Sequence, residues 1–240
     1  MNEPMLDKMK VKIFADGADK AGIAEMAAKA HIKGFTTNPT LMRKAGITDY
    51  EAFAKDILTV IGDRPISYEV FADDFAEMER QARLIATWGK NVFVKIPVTN
   101  TKRESAVPSI KKLTSEGIKL NVTALMTLEQ VEAVTAALVG GAAANISVFA
   151  GRMADTGRDP IPMMQKSLEI MKAAPLSELI WASPRELLNV IQANDIGCHI
   201  ITVTNDILAK LKLLNKDLAD YSLETVEMFY KDGKASGFKL

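Results

Sequence analysis

The sequence predicts a (β/α)₈ TIM barrel formed by residues 1–240 as a single domain, with an extra helix at the C-terminus. Short runs rich in β-branched or aromatic residues recur eight times along the chain. Each run is followed by a longer stretch in which apolar residues recur at helical spacing. No linker, low-complexity tract or block of like charge separates these units. Eight strand and helix pairs in a chain of this length are typical of a compact barrel.

The predicted strands follow one another at regular intervals. They are 11–16, 34–38, 66–72, 92–98, 119–125, 145–150, 179–183 and 198–204. Helices are predicted between them, as in 73–88 and 184–194, and the second has Ser183 as its N-cap and Pro184 as its first residue. The tail, 205–240, predicts one or two further helices, which would pack either on a neighbouring subunit or over the chain's own barrel.

Two other architectures fit the sequence less well. A doubly wound open sheet usually carries a glycine-rich phosphate turn after its first strand, and the segment DGADKAG does not match that dinucleotide-binding pattern. An open antiparallel sheet could show the alternation of polar and apolar residues described below, but the regular helical spacers argue against it.

Composition limits the expected partners. The chain is 48% hydrophobic and 25% charged, and its 30 Lys and Arg residues balance its 30 Asp and Glu residues. This balance provides no long-range field to attract nucleic acid or anionic lipid. No apolar run approaches the roughly 18 residues of a membrane span. We therefore expect a cytoplasmic protein that binds small molecules or copies of itself, and neither nucleic acid nor a membrane.

Cysteine and histidine are scarce. Cys198, His31 and His199 cannot make a disulfide framework or a three-ligand His/Cys metal site. We therefore expect no metal and no other cofactor. Cys198 and His199 lie at the start of a predicted strand and are interpreted as packing residues.

Polar and apolar residues alternate along five of the predicted strands. Successive strand side chains point to opposite faces, and in 92–98 an apolar row alternates with a row that contains Lys95. In a barrel the apolar row must pack on the outer helices, so the polar row must face the interior. The side chains predicted to face the interior are those of Asp16, Glu69, Lys95, Asn121, Thr123 and Ser147.

Each of these residues also has a simpler interpretation. A single strand lysine is usually solvated, Glu69 could serve only to neutralise Lys95, and Asp16 could lie at one end of the barrel. Burying several such groups together costs about several kcal/mol each unless they satisfy one another. Their convergence near the carboxyl ends of the strands therefore favours an active site.

Lys95 has the setting of a nucleophilic amine. It lies between Val94 and Ile96, where we expect an environment with little water. A neutral lysine forms a Schiff base with a carbonyl substrate, and this imine is an electron sink for breaking or making the adjacent carbon–carbon bond. A carboxylate must remove the proton from the departing hydroxyl, and Asp16 and the Glu69/Thr123 pair are the candidates.

Two arginines suggest a phosphate site. Arg152 and Arg185 follow neighbouring predicted strands, and their planar guanidinium groups match phosphate oxygens. Ser183 at a predicted helix start would add backbone N–H donors. Either arginine alone could be structural, but together with the helix start they favour phosphate.

Seven segments resemble the successive strand signatures of the transaldolase family. They are FADGAD (14–19), GFTTNPTL (34–41), SYEVFA (67–72), VFVKIPVT (92–99), KLNVTAL (119–125), SVFAGR (147–152) and WASPREL (181–187). They occur in the family's order and cover every predicted strand but the last. The compact length is similar to that of the small bacterial transaldolases, which are related to fructose-6-phosphate aldolase and share its class I aldolase-type barrel.

The resemblance implies roles for the candidate residues. Lys95 would be the Schiff-base lysine and Asp16 the acid/base at the cleaved bond, while Glu69 and Thr123 would hold a proton-relaying water. Asn38 and Asn121 would bind donor hydroxyls, Ser147 would lie beside the dihydroxyacetone unit, and the phosphate would be held at the two arginines. The residues implied to contact the sugar or its phosphate are Asn38, Asn121, Ser147, Phe149, Arg152, Ser183 and Arg185.

The choice between transfer and cleavage depends on two of these positions. The resemblance implies that the aldolase branch carries Tyr and Gln where this chain has Phe149 and Glu69. We therefore expect a transaldolase that moves a dihydroxyacetone unit between sugar phosphates, with a fructose-6-phosphate aldolase as the alternative. A non-catalytic barrel that binds sugar phosphate is the alternative from another class. Gly17 and Pro184 depart from the family pattern, which leaves the fine substrate preference open.

Overall fold

The computed structural model describes residue 6 and residues 8–238, and it confirms the predicted barrel. Eight parallel strands close into one sheet in chain order, with the eighth paired to the first. The strands are β1 Lys12–Asp16, β2 Ile32–Thr36, β3 Ile66–Glu69, β4 Val92–Pro97, β5 Leu120–Leu125, β6 Ala144–Val148, β7 Ser177–Trp181 and β8 Ile200–Thr204. Each overlaps a predicted strand, although the strand predicted over 66–72 already ends at Glu69.

Helices surround this sheet on the outside. They are α1 Lys20–Ala27, α2 Pro39–Lys44, α3 Tyr50–Ile61, α4 Phe75–Ala86, α5 Val107–Ser115, α6 Leu128–Leu138, α7 Ala150–Ala154, α8 Ile161–Met171, α9 Leu188–Asp195, α10 Asn205–Leu208 and α11 Leu218–Ala235. A 3₁₀ helix, Ala209–Leu213, lies between the last two. Side-chain caps start several of them: Asp49 accepts a hydrogen bond from the Ala52 N–H at α3, and Asp74 accepts one from the Glu77 N–H at α4.

The helix predicted over 184–194 begins later than expected, at Leu188. Ser183 is therefore not its N-cap, and Pro184 is not its first residue. Ser183 has a φ of 60°, in the left-handed region, and starts a loop instead. The Asn189 side chain accepts hydrogen bonds from the backbone N–H groups of Arg185 (2.8 Å) and Glu186 (3.2 Å). The prediction of an anion-binding helix start at Ser183 was wrong.

The apolar core lies on both sides of the strand wall. Its larger part fills the space between the barrel and the outer helices, and includes Val94 and Ile96. A smaller cluster lies inside the barrel beside β7, β8 and β1. Its members are Phe14, Ile180, Ala182 and Ile200, with Phe149 packed against them. A Cβ on Gly34 would lie 2.5 Å from Cζ of Phe14, so this glycine makes room for the ring. Beside β3 to β6 the interior holds several buried polar side chains, among them Ser67, Asn121 and Ser147.

The C-terminal tail forms the predicted extra helix. No residue of α11 is buried, so this helix does not form a cap over its own barrel. Among the described residues, none of the helices has the length and apolar character that crossing a membrane would need.

Candidate active site

A cavity of about 690 Å³ opens where the strands end. Asp16, Glu69, Lys95, Thr123 and Ser147 contribute to its walls, each from a different strand. The structure therefore brings five of the six side chains predicted to face the interior into one cavity. This is the end of the barrel at which enzymes with this fold place their reactive groups.

The Lys95 amine is held between two oxygen atoms. Parallel pairing of β3 with β4 sets Glu69 directly beside Lys95, and Nζ lies 3.1 Å from Oε2 of Glu69. Nζ also donates a hydrogen bond to the Thr37 carbonyl oxygen at 3.2 Å. The lysine and glutamate side chains are only 10% and 16% exposed, so this contact is largely shielded from bulk water. Such a distance allows a proton to pass between the two groups.

Asp16 ends β1 on the same cavity. Its Oδ1 accepts a hydrogen bond from the Thr36 hydroxyl at 2.8 Å, and that hydroxyl also contacts the hydroxyl of Thr202. Burial raises the pKa of Asp16 above its ordinary value, while the charge of Lys95 and the Thr36 hydrogen bond partly oppose the rise. A carboxyl with a raised pKa is suited to exchanging a proton with a substrate hydroxyl.

Asn121 and Thr123 lie at different levels of β5. Asn121 is fully buried, donates a hydrogen bond to Oγ of Ser67 (2.9 Å) and accepts one from Oγ of Ser147 (2.7 Å). It is not part of the cavity lining and reaches the cavity only through Ser147. The Thr123 hydroxyl is buried and makes no hydrogen bond to any described residue. Thr123 therefore has an unsatisfied hydroxyl in the wall of the cavity.

The predicted phosphate residues share one side of the cavity rim. Arg152, Ser183 and Arg185 all line it. The Arg152 guanidinium lies 5.5 Å from the centroid of the Phe149 ring. Arg185 makes a two-pronged ion pair with Asp155, in which Nε lies 2.9 Å from Oδ1 and Nη2 contacts Oδ2. This pair raises the pKa of Arg185 and lowers the pKa of Asp155.

Close backbone contact joins the two loops that carry these groups. An ideal Cβ on Gly151 would lie 1.5 Å from the Ser183 carbonyl oxygen. Only glycine fits at this point of α7, and its N–H donates to the carbonyl of Ala182 at 3.3 Å. The contact sets Arg152 beside Ser183.

Asn38 caps a helix and also lines the cavity. Its Oδ1 accepts a hydrogen bond from the Leu41 N–H (2.9 Å) and so caps α2. The side-chain nitrogen is the remaining polar atom that a ligand hydroxyl could meet.

Sequence reasoning missed several residues around the site. Thr36 and Thr202 support Asp16, and the alternation in β8, where Thr202 and Thr204 oppose Val203, was a signal that could have identified Thr202. Tyr50 binds the backbone of Glu69, and Asp155 binds Arg185. These two residues belong to helical segments outside the strand pattern, so alternation carries no information about them.

The residues that were interpreted as packing residues lie away from the cavity. Cys198 is buried, and burial raises the pKa of its thiol to about 12. Nδ1 of His199 accepts a hydrogen bond from the Leu179 N–H at 3.0 Å. Within residues 6 and 8–238, no group of three or more His, Cys, Asp or Glu side chains is arranged to hold a metal ion.

Comparison with known sequences identifies the family. The family profile "Transaldolase/Fructose-6-phosphate aldolase" matches residues 13–239. A "Probable transaldolase" of Thermoanaerobacter sp. (strain X514) is 35% identical, over 96% of this chain and 100% of the relative. A "Probable transaldolase" of Clostridium acetobutylicum is 37% identical, over 93% of this chain and 98% of the relative. "Probable transaldolase 2" of Listeria monocytogenes is 34% identical, over 94% and 97%.

Solved structures of low sequence identity share the fold. KGPDC from Streptococcus mutans matches with a TM-score of 0.57 at 10% identity, over 82% of this chain and 89% of that chain. 2,3-Dimethylmalate lyase matches with a TM-score of 0.55 at 16% identity, over 96% and 86%. At these identities the likeness shows the barrel alone. The profile match and the relatives that align along nearly the whole chain establish that this protein belongs to the transaldolase/fructose-6-phosphate aldolase family.

Proposed function

We propose that the protein is a transaldolase that transfers a dihydroxyacetone unit from a ketose phosphate to an aldose phosphate through a Schiff base on Lys95. The donor is sedoheptulose 7-phosphate and the acceptor glyceraldehyde 3-phosphate, as in the pentose phosphate pathway. The observation that carries the proposal is the Lys95 amine in the cavity wall, largely buried and 3.1 Å from the Glu69 carboxylate. A shielded amine beside a proton acceptor can become the neutral nucleophile that imine formation needs.

The reaction begins when Nζ of Lys95 attacks the ketose carbonyl and water leaves. The carboxylate of Asp16 then takes the proton of the hydroxyl on the carbon that departs. The carbon–carbon bond breaks, its electron pair moves into the imine to form an enamine, and the first aldose leaves. An acceptor aldehyde enters, the enamine attacks it, and Asp16 returns the proton before water releases the product. Glu69 and Thr123 hold the water that carries protons to and from the imine.

The rim arginines provide the phosphate contact. Arg185 is already oriented by Asp155, and Arg152 stands over Phe149 on the same rim. Charge-assisted hydrogen bonds of this kind contribute about 1.5–3 kcal/mol each. Asn38, Ser147 and, through Ser147, Asn121 are the polar groups available to the sugar hydroxyls.

Phe149 and Glu69 favour transfer over release of free dihydroxyacetone. An aldolase must protonate the enamine and hydrolyse the imine, whereas a transaldolase must keep the enamine until an acceptor arrives. Phe149 lines the cavity and has no hydroxyl that could orient a water or deliver a proton. The second candidate, a fructose-6-phosphate aldolase, uses the same lysine.

Reduction of the imine tests the proposal. Borohydride added with fructose 6-phosphate should attach a dihydroxyacetone-derived mass to Lys95, as located by peptide mass spectrometry. Lys95→Met should abolish both the adduct and the activity, while Lys119→Met, which removes a lysine preceding β5, should retain both. An adduct at another lysine would overturn the assignment.

A second assay separates transfer from release. The unmodified protein is given a ketose phosphate with and without the acceptor aldehyde, and free dihydroxyacetone is measured. Release without an acceptor at a rate comparable to transfer would identify the aldolase instead.

A further inference from the structure

The backbone of Glu69 has β4 on one side but no neighbouring strand on the other. β2 pairs with β3 only through Phe35 with Ile66 and Thr36 with Ser67. The Thr37 N–H still reaches the Ser67 carbonyl at 3.2 Å, but the chain then turns away and α2 begins at Pro39. In a strand, the N–H and C=O of one residue point to the same side, and residues two apart share that side. The polar backbone groups of Glu69 therefore face the side that β2 has left.

The Tyr50 hydroxyl fills this place. It accepts a hydrogen bond from the Glu69 N–H at 2.7 Å and donates one to the Glu69 carbonyl oxygen at 3.1 Å. Burial raises the pKa of Tyr50, so the hydroxyl remains protonated and can donate. One side chain from the first turn of α3 thus provides both hydrogen bonds that further β2 residues would have provided.

An aromatic cluster holds the Tyr50 ring in place. The ring lies edge-on to Trp88 at a centroid distance of 5.1 Å and to Tyr68 at 5.9 Å, and it contacts Phe71 at 4.7 Å. A phenol fixed on several sides cannot easily follow a displaced Glu69 peptide. The position of the peptide therefore depends on the phenol.

We infer that Tyr50 is a positioning residue for the Schiff-base chemistry: it fixes the Glu69 peptide so that the Glu69 carboxylate stays in contact with Nζ of Lys95. This inference rests on the proposed function, because it concerns the same lysine. Thr37 supplies the other oxygen atom at Nζ, through its backbone carbonyl. The amine thus lies between the end of β2 and Glu69, the last residue of β3. Tyr50 holds the backbone of Glu69 in place.

Tyr50→Phe removes the hydroxyl and keeps the ring. We expect kcat to fall by about 10- to 100-fold, the effect of a small displacement of a reacting group, with KM close to that of the unmodified protein. Borohydride trapping at Lys95 should slow in parallel. In a Glu69→Gln background, Tyr50→Phe should cause little further loss, since the two changes then act on the same interaction.

Tyr68→Phe is the matched control. Tyr68 belongs to the same aromatic cluster, is fully buried, and donates its hydroxyl to the Ala54 carbonyl at 3.1 Å. Its loss should lower the melting temperature without a comparable fall in kcat. Equal kinetic effects of the two substitutions, or full additivity of Tyr50→Phe with Glu69→Gln, would overturn the inference.

Amide hydrogen exchange distinguishes this failure from failure of the proposed function. Tyr50→Phe should remove the protection of the Glu69 N–H, and Tyr68→Phe should retain it. If the unmodified protein forms no reducible imine, the proposed function is wrong, and so is the role of Tyr50 in that chemistry. If the imine forms but the Glu69 amide stays protected in Tyr50→Phe, only the inference about Tyr50 is wrong.

Discussion

At the scale of single residues, Asp16 shows a conflict between stability and reactivity. Its carboxyl is held against Thr36 inside the barrel, and burial raises its pKa. A carboxyl with a raised pKa in the folded protein stabilises the fold in its protonated form. That contribution is fully present below the pKa of the unfolded chain and is lost as the pH rises through the higher pKa of the folded protein. The ionised carboxylate that the proposed reaction uses therefore reduces stability at neutral pH.

Replacing Asp16 by Asn should separate these two effects. We expect Asp16→Asn to slow carbon–carbon bond cleavage by about 10²- to 10⁴-fold, the usual contribution of a positioned acid/base, while borohydride trapping still labels Lys95. The melting temperature should rise at about pH 7, and the difference from the unmodified protein should shrink towards about pH 3. Single-turnover cleavage and thermal unfolding at both pH values measure this. Loss of imine formation in the variant would contradict the assigned role.

At the scale of strands and helices, alternation was the informative signal. A strand period of two places Lys95 and Glu69 on the inner face whatever the neighbouring strands do, so the sequence alone could predict the cavity wall. The loop after β7 could not be predicted in the same way. Pro184 is typical of a helix start, but contact of the Ser183 carbonyl with Gly151 and the capping of two N–H groups by Asn189 keep this segment out of a helix. Gly151 is distant from Ser183 in the chain, and Asn189 lies beyond the predicted helix start. Local sequence signals for a helix start therefore contain no information about either interaction.

The sequence also could not predict which helical residues contact the site residues on the strands and loops. Tyr50 meets Glu69 and Asp155 meets Arg185 only because the strands pair and the helical segments pack against their ends. The identities of these residues, a helical tyrosine and an exposed aspartate, are unremarkable by themselves. Their positions become informative only with the fold.

The contact between α7 and the loop after β7 yields a prediction at this scale. In Gly151→Ala the added methyl group would overlap the Ser183 carbonyl, so one of the two segments must move. We expect a loss of about 1–3 kcal/mol in the free energy of unfolding, as for other overpacked sites. Because the displaced segments carry Arg152 and Ser183, KM should rise for phosphorylated substrates and change little for non-phosphorylated ones. Chemical denaturation and steady-state kinetics with both substrate types provide the test.

Gly233→Ala serves as the control for this prediction. A Cβ there would meet nothing within 4 Å, and the residue lies inside α11. Alanine favours a helix over glycine by about 0.8–1 kcal/mol, so the control should be neutral or slightly stabilising. An equal loss of stability in both variants would show that contact with Ser183 is not the cause.

At the scale of the whole molecule, α11 is the element that the barrel does not explain. The helix spans Leu218–Ala235 and buries none of its residues. Val226, Phe229 and Tyr230 are 60%, 64% and 62% exposed, and their spacing places them on one face together with Leu223. Most of the stability of a helix in a protein comes from packing of its apolar face, and the apolar face of α11 is exposed in a single chain.

A second copy of the chain is one of the partners that the sequence allows, and we predict that it covers this face. The unmodified protein should be an oligomer at micromolar concentration when its mass is measured by size-exclusion chromatography with light scattering. Phe229→Glu would place a charge in the interface, where it cannot be hydrated, and should shift the mass towards that of one 26.2 kDa chain. The far-ultraviolet circular dichroism of the barrel should persist.

Lys231→Glu changes a charge on the same helix and should leave the mass unchanged. A monomeric unmodified protein would contradict the prediction, since no second copy of the chain would then cover the apolar face.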